Sequence, residues 1–221
     1  MVKRNTKHSN YREVGLEREF FLLRKDTNEI VEPIEYEFPS DVFGFLVELR
    51  SRPWVHLNTV KMTWDMEKSY WEHRAKKFGM KLVDIPYTIV PYKQGKYYYN
   101  KYGGDKYEDL TKNVYSENKD KQSHHLGMFF DEDKDECMLT SGMHVHFSIR
   151  DENCNVIPFT NDQIELIVKH MDLKFYDIIQ ASKRRFGEYE PKKHGFEYRS
   201  LPCNADVYRV LEEAFFILRN I

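Results

Sequence analysis

A chain of 221 residues, 41% hydrophobic and 15% aromatic, can bury a core without disulfides, which excludes general disorder and predicts one domain. Its net charge of -2 gives no global pull toward nucleic acid or a membrane. The three cysteines, Cys137, Cys154 and Cys203, lack C-x-x-C spacing, and no run approaches the ~18 apolar residues of a membrane span, so a soluble cytoplasmic protein with reduced thiols is expected.

Residues 1–12 mix Lys3, Arg4, Lys7 and Arg12 with small polar residues and read as a flexible basic arm, leaving residues 13–221 as a single domain. Val14 to Leu23 reads as a strand. Its side chains divide with period two, Gly15, Glu17, Glu19 and Phe21 on one face and Leu16, Arg18, Phe20 and Leu22 on the other. Two carboxylates ~7 Å apart on such a strand become comfortable when a cation lies beside them. For this strand alone, a solvated face is the plainer reading. The run Val42 to Arg50 sets Leu46, Glu48 and Arg50 against Val47 and Leu49, and Pro53 closes it. A helical period follows from Val55 to Phe78, with Val60, Trp64, Trp71 and Ala75 on its stripe and Gly79 as the stop. Lys81 to Ile85 and Tyr87 to Tyr92 read as short strands around Pro86.

Tyr92 to Tyr107 interleaves lysines with tyrosines around Gly103-Gly104. Single-stranded nucleic acid is bound by such mixtures, but Asp105, Glu108 and Asp109 return at once, so a flap or loop over a pocket is expected and a nucleic-acid partner is not. Asn113 to Asp135 reads as irregular, with His124-His125 unassigned, and Asp131 to Glu136 as a solvated acidic run.

The most informative stretch is Ser141 to Ile149. There Thr140, Gly142, His144, His146, Ser148 and Arg150 point to one side, Met143, Val145, Phe147 and Ile149 to the other. Thr160 with Gln163 reads as a capping box opening a helix that carries Ile164, Ile167, Val168, Met171, Phe175 and Ile179 to about Arg185. Lys183, Arg184 and Arg185 would then favour its C-terminus by a few tenths to ~1 kcal/mol. Gly195 to Leu201 is a strand with Glu197 and Arg199 opposite Phe196 and Tyr198. Asn204 is the expected cap of a final amphipathic helix through Val207, Leu211, Phe215 and Leu218.

Four strands thus oppose an apolar face with acidic, imidazole or guanidinium groups. This predicts an α+β domain: one sheet, helices on its apolar face and a carboxylate-lined concave face suited to a hard cation, Mg2+ or Mn2+, with polyphosphate.

Gly15-Leu16-Glu17-Arg18-Glu19-Phe20-Phe21-Leu22 resembles the E-x-E-F-F strand of glutamine synthetase, Ser141-Gly142-Met143-His144 is similar to that superfamily's S-G-M-H strand, and Gly195 to Pro202 resembles its late E-x-R strand. In wording and size the chain most resembles the small phage-type carboxylate-amine ligases (amidoligases) of the superfamily, which share a G-x-E-Y-R segment and an E-L-R element like Glu48-Leu49-Arg50. The resemblance implies a glutamine synthetase/guanidino kinase-like catalytic domain, a mainly antiparallel curved sheet with the metal and ATP on its concave face. It implies ATP-dependent joining of a small-molecule or peptide carboxylate to an amine through an acyl phosphate, in the host cytoplasm if the chain is phage-encoded.

By position, Glu17, His144 and Glu197 would hold one Mg2+ near the ATP phosphates, and Glu19 and Glu48 a second near the acceptor carboxylate. Arg199 would neutralise the transferring phosphoryl group, with Arg184 or Arg185 assisting, because Ser182-Lys183-Arg184 resembles a substrate-binding S-x-K-R stretch. Lys183, His144 and His146 would join Arg199 around ATP. The chain is much shorter than glutamine synthetase, lacks its N-terminal partner domain and has no match to the ammonia-site loop, leaving the amine and any oligomer open. A metal-dependent cupin is the rival suggested by His144-Val145-His146, although the Glu that should follow is too far away at Glu152. A non-catalytic nucleotide- or metal-binding module on the same scaffold is the other, although no carboxylate of the set is missing.

Overall fold

The computed structural model describes residues 10–41, 44–102, 104, 110–116 and 127–221. In chain order the elements are β1 (Tyr11–Arg24), β2 (Leu46–Arg50), α1 (Leu57–Lys77), β3 (Met80–Val83), β4 (Tyr87–Pro91), α2 (Tyr92–Lys101), β5 (Lys112–Asn113), β6 (Met128–Asp131), β7 (Glu136–Thr140), β8 (Gly142–Arg150), α3 (Asn161–Lys174), α4 (Tyr176–Ala181), β9 (Glu188–Lys192), β10 (Gly195–Pro202) and α5 (Val207–Arg219).

The period-two strands assemble into a seven-stranded antiparallel sheet in the order β2-β1-β8-β10-β9-β5, with β3 on the far end of β1. Its apolar face carries Leu16, Phe20, Val145, Phe147, Phe196 and Tyr198, all buried in one cluster with Trp64 of α1, Met171 of α3 and Leu211 and Phe215 of α5. Helices therefore cover one face and leave the other to polar side chains, an α+β arrangement. The described strands form open sheets, not the closed barrel that a cupin requires.

A second, three-stranded sheet, β4-β7-β6, is joined to the first by a smaller core of Phe21, Phe45, Leu46, Val90, Tyr98 and Leu139. The chain crosses between sheets at Ser141, whose N–H donates to the Pro86 carbonyl. Thr140, expected in line with His144 and His146, thus ends β7 and pairs with Tyr87.

Tyr92 to Lys101 is a helix, not the expected loop. Its glycine serves packing: a Cβ on Gly95 would lie 2.4 Å from Cys137 Sγ, so only Gly lets α2 lie on β7. Two of its lysines, Lys96 and Lys101, are occupied within the fold. Lys96 Nζ lies 4.6 Å from the Phe130 ring centre, and Lys101 Nζ is 2.6 Å from Glu32. Tyr107 and His124-His125 lie outside the described residues, as do residues 1–9 of the expected arm; Tyr11 and Arg12 already belong to β1. The expected irregular stretch contains β6, and Glu136 begins β7.

The Thr160 capping box forms as read. The helix it opens breaks at Phe175, whose ring is buried, and the shorter α4 stops at Ala181. Lys183 then adopts a left-handed conformation (φ 59°), so the basic triplet leaves the helix instead of closing its last turn. Asp206, not Asn204, caps α5, accepting from the N–H groups of Tyr208 and Arg209. No helix among the described residues is long and apolar enough to cross a membrane.

Candidate functional site

Strand register places the functional side chains on the face that the helices leave open. Glu17 sits opposite His144 and Gly15 opposite His146 across β1 and β8, while Glu197 of β10 faces His146 from the other side. On the outer flank, Glu19 faces Glu48 and Glu17 faces Arg50. The result is a row of carboxylates and imidazoles.

His144 is buried, and its Nδ1 lies 2.9 Å from Glu17 Oε1 and 2.9 Å from Glu197 Oε1. Burial and the nearby Arg199 oppose a charge on this ring, yet the two carboxylates outweigh them and hold its pKa up at about 9. Reciprocally, burial would raise Glu17 and Glu197, but His144 and its neighbours hold both well below the usual carboxylate range. Both are therefore ionised although nearly inaccessible to water. Glu48 is the opposite case: burial, with the charge of Glu17 beside it, pushes it up to about 8.

Glu17, His146 and Glu197 can each present one ligand atom, all within 4.8 Å of one another. The near contact of His144 with Glu197 Oε1 lacks hydrogen-bond geometry, so among the described residues that buried oxygen has no hydrogen-bond donor. The charges of His144 and Arg199 lie beside this oxygen but no proton is aimed at it, which leaves its lone pair to a cation. Donor set and orphaned oxygen together fit a hard divalent cation. The open imidazole of the group is His146; His144, named in sequence, lies between the same carboxylates.

The remaining expected residues distribute unequally. Arg199 extends into the site, ion-paired with Glu190 and 3.5 Å from Glu197 Oε1. Arg184 lies against Gly142, where its guanidinium donates to the carbonyls of Ser141 (3.3 Å) and Arg199 (2.7 Å). That position has a reason in the register. From Tyr198 to Leu201 β10 advances three residues while β8 advances two, a bulge at which Arg184 serves the displaced carbonyl of Arg199. Gly142 N–H donates to Glu19. Lys183 and Arg185 are exposed, and neither has an ion-pair partner among the described residues.

All these groups, with Thr111 and Tyr87, line one cavity of about 510 Å³, a size ordinary for small-molecule sites. Among the lining residues not singled out in sequence are Glu188, Glu190, Lys192 and His194. Lys192 Nζ bridges Glu190 (2.7 Å) and Glu197 (3.0 Å), and His194 Nε2 lies 3.3 Å from His146 Nδ1. They belong to β9 and the two-residue turn Lys193-His194 before β10. Pro191 and the charges of Glu-Tyr-Glu-Pro-Lys obscure this strand. The detectable signal was the repeated Glu-Tyr alternation on both sides of Lys193-His194, a hairpin pattern.

Fold and site together define an α+β domain whose mostly antiparallel sheet carries a carboxylate–imidazole cluster on its open face. No family model and no curated protein matches the chain in sequence.

Proposed function

We propose that the protein is an ATP-dependent carboxylate-amine ligase with a glutamine synthetase-like catalytic domain, of the phage amidoligase kind. The observation that carries this reading is the pair of buried, ionised carboxylates, Glu17 and Glu197, converging with His146, and the second carboxylate pair, Glu19 and Glu48, on the adjoining rung. The neighbouring Arg50, His144, Lys192 and Arg199 keep these carboxylates ionised, ready for a metal ion.

Bound Mg2+ or Mn2+ supplies neutralisation of phosphate charge. Glu17, Glu197 and His146 are the residues that would hold it, with His144 bonded to Glu17 and its charge beside Glu197, and Glu19 and Glu48 available to a second ion. Arg199, steered by Glu190, supplies a fixed guanidinium for a phosphoryl or carboxylate oxygen. In the reaction, an acceptor carboxylate oxygen attacks the γ-phosphorus of ATP and the bond to the ADP oxygen breaks. The amine nitrogen then attacks the acyl carbon, phosphate departs, and the amine loses a proton. Recessing these groups in one cavity limits attack by water on the acyl phosphate.

The test is ADP release from Mg-ATP across a panel of carboxylates, each with and without ammonia, amino acids and polyamines. Release requiring both a carboxylate and an amine is expected. Tight Mg-ATP binding with no release under any pair would replace the ligase by a non-catalytic nucleotide-binding module.

A further inference from the structure

The cavity contains an apolar wall that metal and phosphate chemistry do not use. Along β4, β7 and β6, Ile89, Met138 and Phe129 are direct cross-strand neighbours, while the alternate residues Val90, Leu139 and Met128 enter the second core. The row is wet: Ile89 is 54% exposed and Phe129 38%. Met138 and Phe129, with Tyr87, line the same cavity as Glu19 and Glu48. Also on its lining are Lys183 and Arg185, cations with no ion-pair partner among the described residues, whereas Arg50, Lys192 and Arg199 are all paired.

An apolar surface and unneutralised cations in one cavity are complementary to an amphiphilic acid. We propose that the acceptor is a carboxylic acid bearing an aromatic or branched aliphatic group. The apolar group lies on Tyr87, Met138 and Phe129, and the carboxylate is met by Lys183 and Arg185. The place of this acid as acceptor rests on the ligase reading; its binding does not. A small polar acid would leave the wall hydrated and gain nothing from it.

The experiment is calorimetric titration of the intact chain with 3-phenylpropionate and with acetate, each with and without Mg2+ and the non-hydrolysable ATP analogue AMPPNP. Phenylpropionate is expected to bind about tenfold or more tightly than acetate, to bind alongside AMPPNP, and to fall to the acetate level in Met138→Glu. Tyr87→Ser serves as a second variant should the first fail to fold, judged by circular dichroism. Equal affinity for the two acids, or indifference to both substitutions, would overturn the proposal. So would competition between phenylpropionate and AMPPNP, which would assign the wall to the nucleobase. Wall-dependent binding of the acid without ADP release under any condition would remove the ligase reading and leave the apolar-acid site standing.

Discussion

Arg184 shows how one side chain can be near a site and yet act on the backbone. An ideal Cβ on Gly142 would lie 2.9 Å from its Nη2, so the glycine of Ser-Gly-Met-His is the space that the guanidinium occupies. Arg184→Met leaves the Arg199 carbonyl without its donor and is expected to cost ~1–3 kcal/mol in urea unfolding. Gly142→Ala is expected to destabilise the wild type by ~1 kcal/mol or more and to be nearly neutral in the Arg184→Met background. Additive losses would mean that the two residues do not share this contact. Asp172 is a second residue-scale case. It lies on the helix side of the sheet and accepts from the Tyr198 hydroxyl at 2.7 Å, with Tyr115 and Ser200 also nearby. Burial raises its pKa. The folded state therefore keeps the proton longer than the unfolded chain, and the stability that this group contributes at low pH is lost as pH rises through the folded pKa. Asp172→Asn keeps an acceptor for Tyr198 without the charge. Its stability relative to wild type is expected to improve between pH 3.5 and pH 7, measured by urea titration at both; a constant difference would contradict this.

At the scale of elements, α5 tests which residue begins a helix. Asp206 accepts from two backbone N–H groups, at 2.9 and 3.1 Å, while Asn204 is exposed and caps nothing. Asp206→Ala is expected to cost ~1 kcal/mol and Asn204→Ala a few tenths at most, read as separate shifts in thermal midpoint. Both residues are good caps by type, and only the backbone path decides between them. The same limit explains what the sequence could and could not reveal. β1, β8 and β10 were legible because each alternates apolar and functional residues, so that Glu17, His144, His146 and Glu197 could be placed on one face before any fold was known. β9 was not, since Pro191 and flanking charges hide its alternation. α2 was not, because Lys and Tyr at nearly every position hide the face that Gly95 and Tyr98 bury. Arg184 was misplaced because its guanidinium is fixed by the carbonyls of Ser141 and Arg199, contacts distant in sequence that no local pattern encodes.

At the scale of the molecule, the two faces of one sheet divide the labour. Helices α1, α3 and α5 bury one face, and that burial is the main source of stability. The opposite face is free to gather charges that a core would reject, closed at one end by the small sheet and α2. Such a face is stable without a ligand only because Arg50, Lys192, Arg199 and His144 neutralise its carboxylates in pairs. Substituting one site carboxylate should therefore leave the fold intact while disabling the site.

The most direct measurement is titration with AMPPNP in the presence and absence of Mn2+, comparing the wild type with Glu197→Gln, with circular dichroism and thermal midpoint recorded for both. If the open face holds a divalent cation and polyphosphate, nucleotide affinity rises with Mn2+ in the wild type. It should fall by about tenfold or more in Glu197→Gln, whose spectrum stays unchanged. Equal, cation-independent binding by both proteins, or no binding by either, would contradict the assignment of this face as a metal–nucleotide site.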